Sequence, residues 1–116
     1  MTTLSSHLLN AIDGSHARNI MVRIYQVDAP DTRTFVAEVA TDKQGRFKLD
    51  LPESAITQQF EMEIQIGDCF RSNQQSEPNP VSEILIRFCT APEQASQHIP
   101  VILSPHGYSV WWSGLS

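Results

Sequence analysis

The chain has 116 residues, 41% of them apolar and 18% charged, with a net charge of -5 at pH 7. That length and composition describe one ordinary globular domain, taken over residues 1–116, and exclude a disordered or collagen-like chain. The acidic balance excludes a general basic footprint for nucleic acid, and no apolar run approaches the ~20 residues of a membrane span, so neither is an expected partner.

Taken in chain order, the sequence alternates with the period of two that marks strands. Residues 3–10 put Leu4, Ser6 and Leu8 on one face. Residues 18–27 do the same with Ile20, Val22 and Ile24, and residues 34–40 with Phe35, Ala37 and Val39. A strand over 46–51 follows the turn Asp42-Lys43-Gln44-Gly45. Residues 60–66 are the cleanest case, with Phe60, Met62, Ile64 and Ile66 on one side and Glu61, Glu63 and Gln65 on the other. Asp68 is placed to cap one short helix over 69–75. Further strands are expected over 81–89, 98–103 and 108–112, the 98–103 run being apolar enough to have both faces covered. Asp13-Gly14, Ala29-Pro30-Asp31, Pro78-Asn79-Pro80 and Ser104-Pro105-His106-Gly107 supply turn chemistry between the runs. Short strands at such spacing predict an all-β fold, an eight-stranded sandwich with one short helix.

The opening Met1-Thr2-Thr3-Leu4-Ser5-Ser6-His7 has neither a basic nor a long apolar segment, so a secretory signal is absent or already removed. With no Ser-Lys-Leu ending, the cytoplasm is the expected location. Cys69 and Cys89 lack metal or redox spacing and read as free thiols, a disulfide or a catalytic cysteine being the minor alternatives. Near the other end, Trp111 and Trp112 need cover, either in an oligomer interface or by packing back on the chain's own core.

The chemistry-bearing residues are few. His7, His16, His98 and His106 show no compact metal-ligand spacing, and there is no nucleophile elbow, phosphate loop or dinucleotide fingerprint. Alternation turns His7 away from the core together with Ser5 and Leu9, and His98 together with Pro100 and Ile102. Each histidine alone reads as a surface residue. As a pair they could take and give a proton near neutral pH, since an unperturbed imidazole titrates near ~6.5. Arg46, just after Gly45, reads either as a solvated charge or as a fork for a carbonyl, carboxylate or urea-like group.

The tail His98-Ile99-Pro100-Val101-Ile102-Leu103-Ser104-Pro105-His106-Gly107-Tyr108-Ser109 resembles the C-terminal signature of the transthyretin-like family, H-V-P-L-L-L-S-P-Y-G-Y-S in its enzymatic branch, 5-hydroxyisourate hydrolase. Ser6-His7-Leu8-Leu9-Asn10 with Gly14 resembles the family's N-terminal S-T-H-V-L-D and following glycine, and Thr41-Asp42-Lys43-Gln44-Gly45-Arg46 its T-N-x-D-G-R turn. The resemblance covers essentially the whole chain. It implies a transthyretin-like sandwich assembled as a homotetramer, with a channel lined by the outward faces of the first and last strands. It also implies that His7, Arg46 and His98 are the catalytic residues, with Leu9, Pro100, Ile102, Ser109, Trp111 and Trp112 lining the substrate pocket. The implied reaction opens the lactam ring of a small heterocycle, 5-hydroxyisourate, with water and needs no metal or cofactor.

The chain departs from the family at its end. Trp111-Trp112-Ser113-Gly114 stands where the enzymes have Y-R-G-S, His106 replaces a tyrosine, and Ser96 stands where another histidine is usual. Three readings therefore stand side by side: the 5-hydroxyisourate hydrolase, a family member acting on a different planar heterocycle, and a non-catalytic small-molecule binding protein. The retained His7, Arg46 and His98 argue against the last.

Overall fold

The structure, a computed structural model, describes residues 2–29, 31–67 and 80–112. Among these, the strands are β1 (Thr3–Asn10), β2 (Met21–Ala29), β3 (Thr32–Ala40), β4 (Arg46–Asp50), β5 (Gln58–Gln65), β6 (Glu83–Thr90), β7 (Ser96–His98), β8 (Val101–Ser104) and β9 (Gly107–Val110). They form two sheets. One has the order β4-β1-β8-β9, with β7 also paired to β1; the other has the order β3-β2-β5-β6. The described residues contain no helix, and the short helix expected over 69–75 lies outside them, as does Cys69. Cys89 is an exposed free thiol.

The alternation seen in the sequence builds the core. Leu4, Leu8, Phe47, Val101 and Leu103 from the first sheet meet Val22, Ile24, Phe60, Met62, Ile64 and Ile84 from the second, all of them buried. Ser6 shares that inner face of β1, and its hydroxyl is satisfied by donating to the Ile99 carbonyl at 2.6 Å.

Four details differ from the alternation. The run expected over 98–103 is two strands, because Pro100 has no amide to give the ladder. Yet the register is unchanged across the break: Ser5 faces His98 before it and Leu8 faces Val101 after it. On β3, Ile24 is opposite Ala37 while Tyr25 is opposite Phe35, so Val36 is an extra residue in a bulge. The bulge reverses the parity: Val36 packs on the core with Val39, and Phe35 is 55% exposed, edge-on to Tyr25. The strand expected from residue 18 starts at Met21, because Asn19 adopts a left-handed φ of 58° and donates its amide to the Thr41 carbonyl.

The fourth concerns the polar side of β5. Glu61 and Glu63 are turned away from the core yet are buried, at 4% and 6% exposure. Glu61 accepts hydrogen bonds from Arg33 and Arg87, and Glu63 from Arg23 and Arg33. Burial pushes the Glu61 carboxyl up, but the hydrogen bonds from Arg87 and Arg33 outweigh it and leave the group below its ordinary value of 4.5. The arginine stems cover the acids that alternation alone would leave in water.

The turn before β4 sets the site's register. Asp42 accepts from the amides of Gln44 and Arg46 at 2.9 and 3.0 Å, and these bonds hold its carboxyl below the usual range. Gly45 follows at φ +72°, and its carbonyl accepts the Leu8 amide at 2.7 Å. A Cβ there would lie 2.4 Å from the Leu8 carbonyl oxygen, whereas a Cβ on Gly14, also at positive φ, would meet nothing within 4 Å. Gly14→Ala is expected to cost ~1 kcal/mol, the left-handed penalty alone, and Gly45→Ala ~3 kcal/mol or more because the β1–β4 approach must also open. Urea unfolding of the two variants checks this; equal losses would show that the close approach at Gly45 carries no weight.

Candidate functional site on the open face of the first sheet

Alternation along β1 sends Ser5, His7 and Leu9 to the side opposite the core, each half-buried. The ladders on its two edges then decide what stands beside them. On one edge, His7 is directly opposite Arg46 and Ser5 opposite Lys48. On the other, Ser5 is opposite His98 and Leu9 opposite Ile102, which is in turn opposite Ser109 on β9. Directly opposed residues share a face with Cβ atoms about 4.5–5.5 Å apart. His7, Arg46, His98, Leu9, Ile102 and Ser109 are therefore gathered on one surface four strands wide, although the sequence spreads them over a hundred positions.

Two other expected lining residues stand differently. Pro100 is buried at the break between β7 and β8, and its carbonyl accepts the Trp111 amide at 3.4 Å, which ties the start of the tail to the site. Trp111 is 44% exposed just past β9, and Trp112, one step beyond, is 71% exposed. Neither ring packs back on the core; Val110 does.

Hydrogen bonds orient both histidine rings. His98 Nδ1 lies 2.8 Å from the Ser5 hydroxyl, which leaves Nε2 as its free nitrogen. His7 Nε2 lies 3.0 Å from His16 Nδ1, with the two rings stacked at a centroid distance of 5.1 Å. Burial first, then the positive charge of Arg46, hold His7 below its ordinary value of 6.5. His16 and His98 act in the same direction, and hydrogen bonding to the Gln44 main chain opposes them. The net effect favours the neutral form of His7, the form able to accept a proton, beside a permanent cation. Arg46 is exposed, with its guanidinium available to a ligand on this face. Among the described residues no group of three or more His, Cys, Asp or Glu could hold a metal ion.

His16 is the residue that sequence reading missed. It lies in no strand and in none of the matched motifs. The signal was the Asp13-Gly14 turn: a tight reversal there folds the chain back along β1. The Asn10 amide donates to Ser15, Ala17 donates to Leu8, and His16 comes opposite Leu9, on the same edge as β4. Counting outward from that turn would have put His16 next to His7.

The chain as a whole is similar to known proteins. The model of the HIUase/Transthyretin family matches residues 4–112. A 5-hydroxyisourate hydrolase of Caulobacter vibrioides is 30% identical over 113 residues, covering 96% of this chain and 97% of that protein. Among solved structures, a Klebsiella pneumoniae 5-hydroxyisourate hydrolase superposes with a TM-score of 0.74 at 21% identity, over 98% of this chain and all of the other. The transthyretin of Sparus aurata superposes with a TM-score of 0.80 at 20% identity, over 97% of each chain. The backbone therefore fits enzyme and transthyretin alike and does not choose between them. What it does establish, with the family model, is lineage: the chain belongs to the HIUase/Transthyretin family.

Proposed function

We propose that this protein is a hydrolase that opens the lactam ring of 5-hydroxyisourate with water, giving 2-oxo-4-hydroxy-4-carboxy-5-ureidoimidazoline. The observation that carries the reading is the juxtaposition of His7, Arg46 and Ser5-anchored His98 on one face. The Caulobacter relative, at 30% identity, supports the same chemistry. In this mechanism the two imidazoles orient a water and take its proton as its oxygen bonds to the lactam carbonyl carbon. Arg46 donates to the carbonyl oxygen as it becomes an oxyanion. The C–N bond then breaks, and the proton is returned to the departing nitrogen. The reading includes a homotetramer, supported by Tyr108, Trp111 and Trp112 standing exposed on and beyond the edge strand β9. It also takes the cytoplasm as the working compartment; no helix among the described residues is long and apolar enough to cross a membrane.

The test is the ultraviolet decay of 5-hydroxyisourate made freshly from urate. His7→Ala, Arg46→Ala and His98→Ala are each expected to lower kcat/KM by ~10² or more. Their circular dichroism should match the parent's, because none of the three belongs to the core. Full activity in any one variant would remove that residue from the mechanism.

A second reading, a different planar heterocycle as substrate, is favoured by the exposed indoles at Trp111 and Trp112. An indole offers one N–H donor and a broad apolar face, where an arginine offers a charged fork. A lost hydrogen bond to a charged group costs ~1.5–3 kcal/mol, or one to two decades. The combined change Trp111→Tyr, Trp112→Arg, Ser113→Gly and Gly114→Ser is therefore expected to raise activity on 5-hydroxyisourate by ~10-fold or more. If the parent already equals the Caulobacter enzyme and the replacement gains nothing, the tail does not set selectivity.

A further inference from the structure

His16 is no part of the core: its side chain is exposed, on the short segment that returns from the Asp13-Gly14 turn. Its ring nonetheless lies against that of His7, with Nδ1 3.0 Å from His7 Nε2 and the ring centroids 5.1 Å apart. We infer that His16 is a positioning residue for His7, fixing which nitrogen of the His7 ring carries the proton.

The geometry gives the reason. A 3.0 Å approach of two ring nitrogens needs one N–H and one lone pair between them. The tautomer inferred for His7 has its N–H on Nδ1, the nitrogen turned away from His16. His7 Nε2 then carries the lone pair, and His16 Nδ1–H donates to it. A proton added at Nε2 would bring two N–H groups face to face at 3.0 Å, so the two rings share one proton at this contact. The charged groups around His7 are Arg46 and Lys48 on the same face of β4, Asp42 in the preceding turn, His98 on β7, and His16 itself. Arg46 and Asp42 oppose one another, and His16 is the neighbour that touches the ring nitrogen. Removing His16 takes away both its positive field and a donor that favours the neutral ring. His7 then binds a proton more readily, and a base that must be neutral fails at a higher pH.

The contact stands without the hydrolase reading; its catalytic consequence rests on that reading, and the experiment separates the two. The full chain, labelled at its histidines, is titrated by NMR as the parent, as His16→Ala, and as His16→Asn, whose amide keeps an N–H near the place of Nδ1. The dependence of kcat/KM on pH is measured on the same three proteins. In His16→Ala the His7 midpoint should move up, and the loss of kcat/KM between about pH 8 and pH 6 should grow ~3-fold or more. His16→Asn should restore both. An unmoved His7 midpoint in His16→Ala overturns the inference, as does a moved midpoint with an unchanged rate profile, or a failure of His16→Asn to restore either. If the parent does not hydrolyse 5-hydroxyisourate, the hydrolase reading falls, while the NMR titration still decides the contact.

Discussion

Strand β1 is hydrogen-bonded on both edges, antiparallel to β4 and parallel to β7 and β8, and its register against each is what assembles the open face. Side chains alternate with a period of two, so a slip of one residue against β4 would bring Phe47, now buried in the core, opposite His7 in place of Arg46. A slip against β7 would do the same to His98. The register is pinned from the core side: Leu4 and Leu8 are fully buried, and so are Val101 and Leu103. Hydrophobic burial on one side of the sheet therefore does the positioning on the other.

Where the two partners change over along β1, the chain needs a glycine. The ladder with β4 ends at His7 and Arg46, and residues 15–17 take over beside Leu8 and Leu9. Gly45 sits at the handover, close against the Leu8 carbonyl, the Ala17 amide and the His16 side chain. One backbone crossing thus brings Arg46 from one segment and His16 from another beside the same imidazole. The second sheet carries no comparable cluster of histidines. Its outer face is a network of arginines over two buried glutamates, whose acceptors are all occupied within the sheet.

Much of this was legible from residues alone. The core faces of β1, β2 and β5 follow from strict alternation, and that alternation also turns His7 and His98 outward. The turn Asp42-Lys43-Gln44-Gly45 announced the start of β4 because an aspartate that accepts two downstream amides and a glycine at positive φ are local requirements. What escaped depends on partners distant in sequence. The bulge at Val36 exists only against β2, and no residue in 34–40 signals it. The burial of Glu61 and Glu63 comes from arginine stems on β2, β3 and β6. The break at Pro100 was visible as a proline, but its harmlessness was not, because the unchanged register across it depends on β1. His16 was hidden in a loop without strand periodicity. Conversely, the roles proposed for His7, Arg46 and His98 come from resemblance, and the ladders supply the physical reason that residues so far apart could act together.

The central claim is that the two registers of β1 make His7 and His98 parts of a single proton-handling unit. A double-mutant cycle measures this directly, with kcat/KM on 5-hydroxyisourate for the parent, His7→Ala, His98→Ala and the double variant. Groups that act as a unit are strongly non-additive: once one is gone, removal of the other costs little. The account predicts that the double variant is within ~10-fold of the slower single variant. Losses that multiply in full would mean that the two histidines work independently, and would contradict it.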